Sequence, residues 1–215
     1  MHQLQRNTSP ICLKHYKHGR DNWDNVTSAD KADIWVELEA MQGKRCAYCE
    51  IDISNGDKQI EHFHQKGRNP QLTFQWGNLF GSCKNKDRCG DHKDHPKLTY
   101  QPQDLIKPDI ENPEHYLVFS ADGSVRPREG LSPAEENRAS ETIRIFNLNG
   151  ALKQIRFSEI QGYVQYAEEL AEMASQHPAK EWLPLVTASL EKERIATKDL
   201  PFATAIWHVL TRQSP

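Results

Sequence analysis

The spacing of apolar and polar positions changes character along the 215-residue chain, and each change predicts a different kind of element. Before residue 27 no period is sustained. Asn7-Thr8-Ser9-Pro10 and Gly19-Arg20-Asp21-Asn22 read as turns, so residues 1–26 are expected to form an arm rather than a domain. From Thr27 or Ser28 as N-cap, Ile34, Leu38 and Met41 recur at helical spacing up to Gly43, which can end the helix. Between Lys44 and Lys97 strong apolar periodicity gives way to short, turn-rich runs crowded with Cys, His, Asn and Gly. A stretch with so little apolar surface needs help to fold, and a bound structural metal supplies it, because ligation free energy becomes folding free energy. Residues 98–215 then read as a proline-spaced connection, one short hairpin about Asp122-Gly123, and a helical subdomain. In the latter, Ser132-Pro133 opens a first helix. Patterns over Leu152 to Ser175, Glu181 to Ile195 despite Pro184, and Pro201 to Leu210 give the others.

Composition narrows the class. With 37% hydrophobic and 27% charged residues the chain is an ordinary globular protein, and no apolar stretch long enough to span a membrane is present. Met1 to Arg20 lacks the apolar run of a secretory signal, so a cytoplasmic location is expected. In that reducing compartment the five cysteines are better metal ligands than disulfide partners. A net charge of -3 argues mildly against nucleic-acid binding, yet the charge is segregated. Residues 1–20 hold Arg6, Lys14, Lys17 and Arg20 with no acid, residues 21–43 hold six acids and one lysine, and residues 44–97 hold ten Lys or Arg against seven acids. A basic arm and mildly basic centre suit a phosphate backbone, while the acidic remainder implies that a partner supplies part of the binding surface.

The chemistry concentrates between Cys46 and His95. Cys46-Ala47-Tyr48-Cys49, with Cys83 and Cys89, offers four thiolates for a tetrahedral zinc, and Cys12 reads as a buried apolar side chain. Between the pairs, Ile60-Glu61-His62-Phe63-His64 sets polar groups on alternating faces of a strand, so Glu61 and His62 cannot share a face unless a turn intervenes. A histidine takes a proton from water near neutral pH, and a carboxylate holds a hard cation such as magnesium, the two things that phosphodiester hydrolysis requires.

The order Cys-x-x-Cys, Glu-His-x-His, Trp76-x-Asn78-Leu79, Cys and Cys89-Gly-x-x-Lys93 resembles the HNH nucleases. Together with Phe146-Asn147-Leu148-Asn149 and the His18 to Trp23 arm, it is similar to the HNH subunit, PtuB, of the Septu and retron antiphage systems. The resemblance implies an α+β, mainly α fold in which a zinc-pinned ββα-metal core (residues 27–97, with the preceding helix) lies between the arm and the helical subdomain. It implies an endonuclease in which His62 activates water, Glu61 binds catalytic magnesium or manganese, and Asn78 ties the active-site loop, with His64 a further catalytic candidate. Gly90 stands where many relatives carry a ligating His or Asn, which leaves His92, or Asp91 as the harder donor, to complete that metal site. Lys66 and Arg68 are candidate phosphate contacts. The implied partners are a PtuA-like ATPase, docked by the arm and the helical half, a DNA or RNA substrate and, in a retron-linked system, the reverse transcriptase with its RNA-DNA product. The competing reading is a zinc-stabilised binding module, for nucleic acid or protein, whose histidines are structural.

Overall fold

The computed structural model describes residues 1–212 and is mainly helical, with two small antiparallel sheets among the described residues. Helix α1 spans Ser28–Gln42. The Thr27 hydroxyl accepts from the Asp30 amide at its start, and Gly43 ends it at φ 68°, a left-handed value that glycine adopts without steric cost. Its buried stripe is Ile34, Leu38 and Met41. At its last residue the Gln42 amide hooks onto Gly81, donating to the carbonyl at 2.8 Å and accepting from the N–H at 2.9 Å. A side chain at position 81 would strike Gln42 at 2.7 Å, so glycine is required for that contact.

The first sheet pairs β1 (Lys58–His62) with β2 (Leu79–Cys83), with Glu61 opposite Phe80 and His62 opposite Leu79. A short helix, α2 (Cys89–Lys93), follows and packs on β2. The second sheet is the expected hairpin, β3 (Leu117–Phe119) with β4 (Val125–Pro127), turning at Gly123 with φ 77°. Helix α3 (Pro133–Ile145) begins with a reciprocal capping box between Ser132 and Glu135. Helices α4 (Ala151–Gln176), α5 (Ala179–Thr197) and α6 (Ala203–Arg212) follow, and α5 continues through Pro184 in its second turn, where the ring removes one backbone donor. None of these helices is long and apolar enough to cross a membrane.

The amino-terminal arm, residues 1–26, packs into the core: Met1, Leu4, Cys12, Leu13 and Val26 are buried with Tyr48, Phe80, Phe146 and Leu210. Arg6 pairs with Asp109 at 2.7 Å and donates to the carbonyls of Trp76 (2.7 Å) and Leu79 (3.1 Å), locking the arm across the start of β2. Helical periodicity is silent here because each buried side chain is placed by a separate tertiary contact.

The motif Phe146-Asn147-Leu148-Asn149 joins the two halves. Phe146 stacks on Tyr48 (4.1 Å between centroids), and its carbonyl accepts from the Cys89 N–H at 3.0 Å. The Asn147 amide donates to Asp87 O, and Asn149 bonds both backbone groups of Val125 at 2.7 Å. Glu50, in a left-handed conformation (φ 64°) just after Cys49, reaches the opposite way. It accepts from Thr204 N (3.0 Å) and Oγ1 (2.6 Å) in the first turn of α6 and from the Met1 amino group (2.6 Å).

Burial pushes the Glu50 carboxyl up, but the Met1 amino group and His2 outweigh burial and hold it well below the usual carboxylate range. A depressed acid adds stability above its unfolded pKa and loses it as pH falls through the folded value. Glu50→Ala is expected to cost roughly 3–5 kcal/mol, the range for removing one partner from a buried charged pair. Urea melts at stepped pH check it: the gap between wild type and variant stays constant at neutral pH and narrows only as pH drops below about 4.3.

Candidate active site and zinc centre

The four cysteines Cys46, Cys49, Cys83 and Cys89 converge, all buried, with every sulfur within 4.8 Å of the others. The Cys49 and Cys83 sulfurs are 4.0 Å apart, too far for a disulfide and close to the edge of about 3.8 Å expected for a tetrahedron with Zn–S of about 2.3 Å. Cys46 and Cys49 come from the loop closed by the Arg45 to Asp52 bridge, Cys83 ends β2 and Cys89 begins α2. The wide spacing of the second pair is spanned by residues 84–88, and Cys89 turns the chain with φ 53°. Burial raises the Cys49 and Cys89 thiols well above their ordinary value, so four adjacent thiolates require a cation among them. A zinc ion with four thiolates carries a net charge of about -2, and two guanidiniums, Arg88 and Arg156, lie close enough to sense these sulfurs. The donor set therefore fits zinc.

His62 ends β1, opposite Leu79 of β2. Its Nε2 lies 3.1 Å from the Thr73 carbonyl, and since a carbonyl only accepts, Nε2 carries the proton and Nδ1 is the basic nitrogen. The Trp23 ring meets the imidazole edge-on at 4.5 Å. Burial, reinforced by Lys66, brings the His62 pKa down to about 4, so the ring is neutral at physiological pH.

No turn separates Glu61 from His62, which are adjacent in β1 and so face opposite ways; residues 63–78 connect β1 to β2, and Asn78 closes that connection. Its side chain accepts from His64 N (2.7 Å) and donates to His64 O (3.0 Å) and Leu72 O (3.2 Å), while its own carbonyl accepts from Phe63 N (2.9 Å). His64, at the start of that connection, lines a cavity of about 440 Å³ with Arg68, Asn69 and Tyr100. Burial and the nearby Lys107 lower its pKa. Lys66 lies on the other side, in a cavity of about 210 Å³ with Trp23 and Thr73. Trp76, on its 3-10 turn, is core: it is buried, donates to Asn7 O at 3.0 Å and stacks under Arg6.

Of the residues expected to hold magnesium or manganese, Asp91 and His92 are hydrogen-bonded elsewhere. Among the described residues, Glu61, Asp91 and His92 form no three-ligand group. Asp91 accepts from the Gln59 amide at 2.7 Å, and His92 Nδ1 donates to Ile145 O at 2.9 Å, facing α3 rather than β1. Glu61 is buried, accepts from the Tyr48 hydroxyl and stands 2.8 Å from the Lys93 ammonium. A side chain at position 90 would meet Glu61 Cγ at 2.3 Å, so glycine there makes room for the Glu61 side chain. Sequence reasoning missed Lys93, Tyr48 and Trp23 as parts of the site. The available signal was Lys93 itself, one helical turn after Cys89 on the strand-facing side of a five-residue helix.

No protein-family profile matches the chain. It is 31% identical over 119 residues to a retron Vc95 HNH endonuclease of Vibrio cholerae serotype O1 biovar El Tor, a match covering 52% of this chain and 55% of the relative. It is 32% identical over 89 residues to the Septu protein PtuB of Bacillus thuringiensis, covering 40% of this chain and 33% of that protein. The chain thus spans about half or less of the curated relatives it matches.

Zinc ligation in zinc-finger peptides is worth about 10–16 kcal/mol, on the scale of a whole domain's stability of about 5–15 kcal/mol. Cys83→Ser is therefore expected to purify with less than one zinc per chain by elemental analysis and to lose its cooperative thermal transition. A variant that keeps the wild-type melt with no zinc would remove the metal from this account.

Proposed function

Taking kinship with the HNH endonucleases of the Septu and retron antiphage systems as premise, we propose that this chain hydrolyses phosphodiester bonds in nucleic acid as the nuclease subunit of such a system. The observation that carries the reading is the state of His62: a neutral imidazole whose Nε2 proton is committed to a backbone carbonyl, leaving Nδ1 as a base. It stands at the end of a two-strand and helix unit fixed by the four-cysteine knot, the arrangement that a ββα-metal nuclease core requires.

In this reading His62 takes the proton from the attacking water, and Asn78 holds the loop carrying His64 so that the base and the substrate groove keep their spacing. Lys66 and Arg68, in cavities on either side of that loop, meet phosphate oxygens. Zinc at the cysteines supplies the rigid frame and stays out of the reaction. No step is assigned to magnesium or manganese, because Asp91 and His92 are bonded elsewhere. DNA is the expected substrate, with RNA open to the same apparatus.

The second reading, a zinc-stabilised binding module without catalysis, draws on one observation: His62 is only 4% exposed beneath Trp23. His62→Ala separates the two. We expect zinc content and melting temperature to be retained while cleavage of DNA or RNA by the assembled complex falls by roughly 10²–10⁴-fold, the usual contribution of a general base. Full cleavage by a folded variant would refute the role of His62, and no cleavage by the wild-type complex on either nucleic acid would favour the binding module.

The partner is an ATPase of the PtuA kind, as the Septu relative implies, and docking falls to the helical half. Leu183, Leu185 and Ile195 stand 53%, 61% and 62% exposed on α5 and offer apolar contacts to a partner. Leu183→Glu with Leu185→Glu is expected to weaken co-purification with the ATPase at least ~10-fold while leaving zinc content unchanged. Co-purification at wild-type yield would move the interface elsewhere.

A further inference from the structure

Lys93 is unusual for a lysine in that its side chain has no solvent exposure at all. Its ammonium lies among oxygens: Glu61 Oε1 at 2.8 Å, the His62 carbonyl at 3.1 Å, the Tyr100 hydroxyl at 3.3 Å, and Asp94 Oδ1. Two carboxylates, a carbonyl and a hydroxyl around one buried positive charge form the kind of all-oxygen shell that a hard divalent cation selects. Burial lowers the Lys93 pKa, but Glu61 and Asp94 outweigh it and raise the group, while burial raises Glu61 and Lys93 offsets that only in part.

The geometry around the cage points the same way. Glu61 Cγ fills the space that a side chain at position 90 would take, so no ligand can enter from there. Asp91 and His92, the alternatives on α2, are bonded to Gln59 and to α3. Magnesium would need near-octahedral oxygen ligands at about 2.0–2.1 Å. Here the available oxygens already surround an ammonium delivered by the same helix that begins at the zinc ligand Cys89.

We propose that the Lys93 ammonium fills the cation position beside His62, so that Glu61 takes no divalent metal and the zinc knot is the chain's resident metal. Lys93 is then a positioning residue. It neutralises Glu61 and, through the His62 carbonyl, fixes the backbone that carries the base. The claim concerns the site of the proposed nuclease, but its test reads metal binding and so stands apart from cleavage.

The experiment titrates Mn2+ into the zinc-loaded full chain and follows free Mn2+ by electron paramagnetic resonance. Wild type is expected to show no stoichiometric site. Lys93→Ala, its fold checked by zinc content and circular dichroism, is expected to gain one Mn2+ per chain, at least ~10-fold tighter than any wild-type binding, and to lose it again when Glu61→Gln is added. One Mn2+ per wild-type chain that Glu61→Gln removes would overturn the proposal, as would a folded Lys93→Ala variant that gains none. Should Lys93→Ala fail to fold, the wild-type and Glu61→Gln titrations decide by themselves. Lack of cleavage under all conditions bears on the nuclease reading and leaves these titrations unaffected.

Discussion

The segment from residue 44 to residue 97 depends on four buried sulfurs. Residues 44–97 contribute two five-residue strands and a five-residue helix, far too little regular structure to bury a core of its own. Cys46 and Cys49 on one loop, Cys83 at the end of β2 and Cys89 at the start of α2 meet at one point, where a single ion would hold the loop, the sheet and the helix together. The charge of that centre then shapes its surroundings. Arg156 is buried where it also braces the second hairpin through Gly123 O, and Tyr48, between the two ligands of the first pair, turns inward to Phe146 and Glu61.

The active-site strand shows how a fixed frame divides labour between two faces. His62 and Glu61 are neighbours in sequence and face opposite ways, as a strand requires. On one face burial lowers the His62 pKa and the Thr73 carbonyl sets its tautomer. On the other, Glu61, Gly90 and Lys93 interlock: the carboxylate occupies the space freed by the glycine and the ammonium compensates its charge. These choices are coupled. A larger residue at position 90 displaces Glu61, and loss of Lys93 strands a buried carboxylate, which costs several kcal/mol unless another cation replaces the ammonium.

The peripheral segments serve this centre in different ways. The first residues act as structural mortar, with Arg6 bonded to the carbonyls that flank Asn78 and Trp23 set against the imidazole. At the other end α6 is tied back to the zinc knuckle through Glu50, whereas α5 leaves apolar side chains uncovered. Large apolar side chains are exposed in both halves, Ile11, Val36 and Ile110 in the first and Leu183, Leu185 and Ile195 in the second.

Local signals wrote much of this into the sequence. Thr27 and Gly43 bound α1, Ser132 with Glu135 starts α3, Asp122-Gly123 turns the hairpin, and the cysteine pairs announce a metal, because each depends only on residues a few positions apart. Asn78 was legible as a tie, although its partners, His64 and Leu72, were not. The packing of the arm, the direction of Glu61 and the meaning of Gly90 lay beyond the sequence, since each is fixed by a residue distant in the chain: Asp109 for Arg6, Lys93 for Glu61, and Glu61 for Gly90. A lysine reads as solvated surface in any local window. Only the tertiary structure, by closing α2 over β1, could bury its charge and make it the cation of the site, because a buried ammonium is stable only where carboxylates from elsewhere surround it.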